Sequence, residues 1–252
     1  MFHKYIIDLN DFEIIKAIGS GGFGIVYLVE RKDTHKIFSA KVYKFNIETI
    51  QDQQSFFQEL EALSKAKHPS ILSFHGFNLK NFEKENFPTI ITEYMSNGSL
   101  DHALKKPSYL TMSNKYIILY GIAEGMNYLH SKGIIHRKLS PNNILIDSNF
   151  YPHICDFEES KMSDLSESLN HDQQSIKSSI YTAPEIISKN LYTSSSDVYS
   201  FSLILYELVS GSILSSDSED ICSDKLFIPD EYVMDFFQKC RSNNPEERPT
   251  FK

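Results

Sequence analysis

Gly19-Ser20-Gly21-Gly22-Phe23-Gly24-Ile25-Val26 spells G-x-G-x-x-G-x-V between two β-type runs. Glycines at that spacing let a backbone approach phosphate oxygens and aim N–H groups at them, where side chains would obstruct. From these residues alone, a glycine-rich hairpin with no ligand reads equally well. A dinucleotide-binding turn would open a helix after its last glycine, whereas here a strand continues through Val29. Lys41 follows in Phe38-Ser39-Ala40-Lys41-Val42, flanked by apolar strand residues. Glu59 and Glu61 stand on the next helix, about 200° apart around its axis, so they face different partners. A solvated edge lysine is the simpler alternative to an ion pair.

The elements that must position these residues follow from periodicity and punctuation. Phe12–Ile18, Gly24–Glu30 and Ile37–Tyr43 are rich in β-branched and aromatic residues and broken by glycine and polar turns, which predicts three strands. Ile50–Lys67 predicts a helix stopped by Pro69, and Ile71–Phe77 and Thr89–Glu93 predict two more strands around a charged loop at Lys80–Glu85. Beyond Tyr94-Met95-Ser96-Asn97-Gly98 the chain turns helical. Leu119, Ile122, Met126 and Leu129 share one helical face. Val198, Phe201, Leu205 and Leu208 share another, on a helix apolar all round and therefore central. Ser-rich stretches at Met162–Ser179 and Ser210–Lys225 read as mobile loops. The expected architecture is α+β in one domain over 1–252: a small antiparallel β lobe with one main helix (about 12–93), a connector (94–98) and a larger α-rich lobe (99–252).

Composition narrows the classes. A net charge of −8 argues against nucleic acid or an anionic membrane surface as partner. Cys155, Cys222 and Cys240 are far apart and odd in number, which suggests reduced thiols and a cytoplasmic setting rather than a disulfide framework. No stretch reaches the roughly 18 apolar residues of a membrane span, and the first residues lack a signal peptide's apolar region.

Further motifs accumulate in a fixed order. Thr92-Glu93-Tyr94-Met95-Ser96-Asn97-Gly98-Ser99-Leu100 precedes His136-Arg137-Lys138-Leu139-Ser140-Pro141-Asn142-Asn143-Ile144-Leu145. Asp156-Phe157-Glu158, Ala183-Pro184-Glu185, Asp197-Val198-Tyr199-Ser200 and Asn244-Pro245-Glu246-Glu247-Arg248-Pro249 complete the series. Taken with the glycine hairpin and Lys41, this order resembles the eukaryotic protein kinase domain, in particular its tyrosine-kinase-like group, across almost the whole chain. The resemblance implies ATP as the nucleotide and Mg2+ as its cation. It places Gly19, Ser20, Gly21, Gly22, Phe23, Gly24 and Val26 over the phosphates and Ser39 over the adenine. Thr92 becomes a gatekeeper, the Glu93 and Met95 backbones adenine contacts, and Leu145 a floor residue. Glu59, ten residues before Pro69, becomes the ion-pair partner that fixes Lys41 on the phosphates. Asn143 and Asp156 fall at the two magnesium positions, where hard cations prefer oxygen.

The resemblance also exposes departures. Lys138 stands where the family's catalytic aspartate belongs, and Ser140 replaces the lysine that steadies the transferring phosphate. An ammonium beside polyphosphate stays protonated and offers no lone pair, so general-base help worth about 10²–10⁴-fold is lost. Lys138 could instead reach the γ-phosphate. Glu158 replaces a glycine, which implies either a shifted backbone or an altered metal site. Glu185 and Arg248 match a buried structural ion pair; Leu63, His136, Phe157 and Asp197 match alignment positions. Arg137 is expected to capture a phosphate on Ser175, Ser178, Ser179 or Thr182, against the plainer account of an unmodified serine loop. The stretch from Gly211 to Ile228 is shorter than in relatives, and a final helix is expected after Lys252, so either docking is altered or the sequence continues. These readings predict an ATP-binding pseudokinase acting on a protein partner. A weakly active serine/threonine kinase and a nucleotide-independent scaffold stay open beside it.

Overall fold

The computed structural model describes residues 2–22, 24–45, 50–106, 108–162, 179–214, 226 and 228–252. These fall into two compact units, one of Met1–Lys67 with Leu72–Ser96, the other of His68–Ile71 with Asn97–Lys252. The fold is mixed α+β, an antiparallel sheet with one long helix in the first unit and a helical second unit.

In the first unit β1 (Phe12–Ser20), β2 (Gly24–Arg31), β3 (Ile37–Tyr43), β4 (Phe74–Asn78) and β5 (Thr89–Glu93) form a five-stranded sheet in the order β1-β2-β3-β5-β4, every neighbour antiparallel. The two-residue alternation of β3 sorts its side chains by face. Phe38 and Ala40 join Leu9, Phe12, Val29 and Ile91 in a buried cluster on one face. Ser39, Lys41 and Tyr43 point the other way, toward α1 (Ile50–Lys65). That helix buries Phe56, Leu60 and Leu63 at helical spacing, with Glu59 among them.

Two boundaries differ from expectation, each for its own reason. The helix ends at Lys65 rather than Lys67, because the residue before Pro69 avoids helical angles. The strand expected over Ile71–Phe77 starts only at Phe74. Its first residue is spent in the second unit, where Ile71 bridges Ile154 and the Ile154 N–H donates to Ser70 O at 2.8 Å.

The second unit contains α2 (Leu100–Leu104), α3 (Met112–Ser131), β6 (Ile134–Ile135), β7 (Ile144–Ile146), β8 (Pro152–Ile154), β9 (Lys161–Met162), α4 (Pro184–Lys189), α5 (Ser194–Ser210) and α6 (Glu231–Cys240). Gly121 and Gly125 let α3 lie against β8: a Cβ on Gly121 would meet Pro152 Cγ at 2.5 Å, and one on Gly125 would meet Ile154 Cδ1 at 2.8 Å. Every residue of α5 from Ser196 to Leu208 is buried, as its all-round apolar pattern predicts. Its start is closed by a reciprocal Thr193–Ser196 capping box and its end by Gly211 at φ 75°. The two Ser-rich stretches expected as mobile loops fall largely outside the described residues. No helix among the described residues is long and apolar enough to cross a membrane.

The expected buried ion pair is present. Arg248 holds Glu185 with two parallel bonds of 2.7 and 2.8 Å and also donates to Ser195 O and Ser242 O. Burial alone would raise the Glu185 carboxyl, but the Arg248 guanidinium outweighs it and holds the group below its usual 4.5. A depressed folded-state value stabilises above the unfolded one and is lost on acidification. Glu185→Ala is expected to cost about 3–5 kcal/mol in urea unfolding at pH 7, since Arg248 would be left buried and unpaired. Glu185→Gln should flatten the decline in stability that the parent shows as pH falls below about 4.5.

Candidate functional site

The first unit gathers most of the expected nucleotide set onto one sheet. Val26 pairs with Lys41 across β2 and β3, and Ser39 pairs with Thr92 across β3 and β5. The glycine hairpin closes through the Gly21 N–H onto Gly24 O at 2.9 Å. Its glycines have separable reasons. A Cβ on Gly21 or Gly22 would meet nothing within 4 Å, so that stretch of backbone is open to a ligand. One on Gly24 would strike the Val42 carbonyl, which makes that glycine a packing requirement of the β2–β3 pair. Gly19 lies over Val26 at ordinary contact distance, and Phe23 lies outside the described residues. Lys44 Nζ reaches Gly21 O at 2.9 Å and Ser20 Oγ at 3.4 Å, a cation at the hairpin that no motif had marked.

Lys41 Nζ stands 3.3 Å from both carboxylate oxygens of Glu59, whose side chain is only 5% exposed. Glu61 is occupied elsewhere, accepting from Lys65 Nζ at 2.6 Å along the helix surface. Glu59 therefore carries the inward position. The hydroxyl of Tyr43 also donates to Glu59, and Lys41 Nζ lies 4.6 Å from the Tyr43 ring centroid. Tyr43 was legible in principle, because it follows Lys41 by two and shares its face of β3. At the end of β5, the Glu93 N–H donates to Ser73 O at 3.0 Å and its carboxylate accepts from Ser73 N–H at 2.6 Å. Met95 is buried just beyond.

The second unit holds the loop that carries Lys138. Asp197, itself buried, accepts from the His136 N–H and Arg137 N–H at 2.9 Å each and pairs with His130 Nε2 at 2.8 Å. Burial drives the fully enclosed His136 down, and the Asp197 charge does not overcome it. The neutral ring then donates from Nε2 to Cys155 O at 3.0 Å and accepts the Lys138 N–H on Nδ1 at 3.3 Å. A 3-10 turn over Pro141–Asn143 follows, and the Asn143 amide donates to Lys138 O at 2.8 Å. Leu145 sits on β7 opposite His153 and bridges Ser99.

Lys138 Nζ lies 2.8 Å from Asp156 Oδ2 and 3.8 Å from Glu159 Oε1. Burial would lower this ammonium's pKa. Asp156 first, then Glu159 and Glu158, outweigh that and raise it above 10.5. Across the neutral range it is therefore a fixed cation and not a proton acceptor. Divalent magnesium requires bare oxygen ligands at about 2.0–2.1 Å, and an ammonium already holds the Asp156 oxygen. As arranged, Asp156 with Asn143 does not fit a metal at that atom. Glu159 escaped the sequence reading because it lies outside every motif.

The Asp-Phe-Glu segment resolves the question raised by the missing glycine. The left-handed angle falls on Asp156 (φ 65°), and Glu158 is not among the positive-φ residues. The glutamate imposes no strain of that kind, and its effect is charge toward Lys138. Phe157 is fully buried with its ring edge-to-face against His136. Arg137, also left-handed at φ 71°, lays its guanidinium 3.6 Å from the Tyr192 ring centroid and donates to Glu159 O. Of the serines and threonine expected to present a phosphate to it, Ser175 and Ser178 lie outside the described residues. Ser179 N–H donates to Thr182 Oγ1.

Removing the Tyr43 hydroxyl tests the first half of the site. Tyr43→Phe is expected to lose about 1.5–3 kcal/mol in denaturant unfolding, the range for a hydrogen bond to a charged group. Ser39→Ala, on the same face without that bond, should stay within about 0.5 kcal/mol of the parent.

The protein kinase domain profile matches residues 12–252. A protein of Acanthamoeba polyphaga mimivirus named as a serine/threonine-protein kinase/receptor is 31% identical over 98% of this chain and 15% of its own length. A receptor-like serine/threonine-protein kinase of Arabidopsis thaliana is 34% identical over 84% of the chain and 57% of its own. The human ribosomal protein S6 kinase alpha-2 is 30% identical over 82% of the chain and 28% of its own. The chain thus spans between about a seventh and just over half of these relatives.

Proposed function

The chain belongs to the protein kinase domain family, and on that premise we propose that it binds ATP and signals through conformation rather than by transferring phosphate. We read its motifs as resembling those of the tyrosine-kinase-like group, with lobes at 12–93 and 99–252 and a hinge at 94–98. Protein kinases in general use ATP with Mg2+, and the relatives matched here are serine/threonine kinases. This chain's partner is accordingly a protein. The reduced Cys155 and Cys240 are consistent with a cytoplasmic setting.

One observation carries the reading: a permanently charged Lys138, bonded to Asp156, in the position of the family's base. Phosphoryl transfer would need a proton acceptor on the substrate hydroxyl late in the reaction, and an ammonium supplies none. The same charge does suit binding. Lys41, fixed by Glu59 and Tyr43, and Lys44 at the glycine hairpin supply two cations for a polyphosphate. ATP when bound supplies the negative charge these groups need. Lys138 neutralises Asp156 as a cation would, so nucleotide binding does not require magnesium.

A second reading rests on Glu159. Its half-exposed carboxylate lies 3.8 Å from Lys138 Nζ, where it could stand in as a base in a weakly active serine/threonine kinase.

Thermal denaturation with ATP separates these from a nucleotide-independent scaffold. ATP at about 100 times its Kd should stabilise the fold by about 2.7 kcal/mol, equally with Mg2+ and with a chelator, and Lys41→Met should abolish the shift. No shift in the parent would leave the scaffold. In Lys138→Ala the shift should become magnesium-dependent. Radiolabelled phosphotransfer should be absent from the parent; robust transfer that requires Lys41 and disappears in Glu159→Gln would replace the pseudokinase reading with the second one.

A further inference from the structure

Residues 2–11 precede the stretch matched by the family profile, yet they are built into the first unit. Ile6 forms a parallel bridge with Phe77 of β4, the Ile7 N–H donates to Phe77 O at 3.0 Å, and Asn78 Nδ2 donates to Ile7 O at 2.8 Å. The contact is shaped for close approach. A Cβ on Gly76 would collide with Ile7 Cγ2 and stand 2.8 Å from Tyr5 O. Leu9 then anchors the segment in the buried cluster with Phe38 and Ala40.

Its other end touches α1. The Phe2 ring stacks on Phe57 at 5.9 Å and meets Phe77 edge-on at 6.4 Å. Phe57 contacts Phe56 at 5.6 Å, Phe56 contacts Phe77 at 6.0 Å, and Phe56 meets Tyr43 edge-to-face at 5.4 Å. Tyr43 in turn bonds Glu59, the partner of Lys41. An unbroken run of packed rings therefore joins Phe2 to the ion pair. Aromatic pairs in these geometries contribute beyond their buried area.

We propose that residues 2–11 are an intramolecular strap that positions α1, so that the seating of Phe2 sets the Lys41–Glu59 pair and through it the affinity for nucleotide. The strap and its effect on α1 stand on the packing alone; the effect on affinity rests on the ATP-binding reading. A partner that draws Phe2 off Phe57 would weaken nucleotide binding without touching the site.

The test uses the full chain with Phe2→Ser, the rescue variant Phe2→Leu, and Gly76→Val, which excludes Ile7. Amide hydrogen exchange is followed along residues 56–65 and, as a control, along β2 and β3. Binding of a fluorescent ADP analogue without metal is titrated in parallel. Exchange in α1 should speed about tenfold in Phe2→Ser and Gly76→Val while β2 and β3 keep their protection. The dissociation constant should rise about three- to tenfold, inside the roughly two- to thirtyfold range for residues coupled through a packed network, and Phe2→Leu should restore both. Unchanged α1 exchange in Phe2→Ser overturns the strap, as does a uniform rise across the sheet. If the parent binds no analogue, the ATP reading fails, and the exchange data still decide the strap.

Discussion

A single buried carboxylate organises the second unit's chemistry. Asp197, projecting from α5, takes the backbone N–H groups of two successive residues, His136 and Arg137, and a histidine nitrogen besides. Backbone donors have no rotamers to escape into, so this arrangement fixes the loop more tightly than a side-chain pair would. Neutral His136 extends the constraint by bridging the Lys138 N–H and the Cys155 carbonyl. Cys155, the residue before Asp156, is thereby tied through His136 to the backbone of Lys138 itself. The 2.8 Å contact between the Lys138 ammonium and Asp156 follows from that backbone geometry. The loop scaffold thus delivers a positive charge, the Lys138 ammonium, against Asp156.

That change of sign alters what the surrounding carboxylates do. Asp156, Glu158 and Glu159 would repel one another around an empty position. Around an ammonium they act together, and their combined field overcomes the burial that would otherwise strip its proton. The first unit uses the inverse arrangement, one carboxylate serving two donors, with Glu59 held between Lys41 and the Tyr43 hydroxyl. Both arrangements hold a lysine stationary against a carboxylate, which suits the holding of an anion.

The limits of β3 and β5, the central burial of α5 and the Lys41–Glu59 spacing were all legible, because each depends on a short-range period or a fixed count. The end of α1 and the start of β4 were not. Ile71 has the composition of a strand residue, but its partner is Ile154, and nothing local announces a pairing across 83 positions. Tyr43 belongs to no motif, although alternation puts it on the face of Lys41. The destination of Lys138 was also hidden. Motif order could say that a cation had replaced an anion, whereas the choice of Asp156 depends on the left-handed turn at that aspartate. The absent glycine at Glu158 points instead to backbone strain at that residue. The left-handed angle lies two residues earlier, on Asp156, one of the few side-chain-bearing types that adopt it readily.

The complete enclosure of α5 has a consequence for how this chain can diverge. A helix with a wet face absorbs neutral substitutions there and guards only its inner stripe. From Ser196 to Leu208 no such face exists, so drift is filtered at every position and the usual three-to-four-residue rhythm of permissive sites disappears. Its serines fit that regime. Ser200 and Ser202 return their hydroxyls to carbonyls of their own helix, Ser196 O and Tyr199 O, which lets neighbouring elements approach a small side chain without leaving a polar atom unmet. A change of side-chain size anywhere from Ser196 to Leu208 therefore meets packed neighbours, whichever way the residue points around the helix.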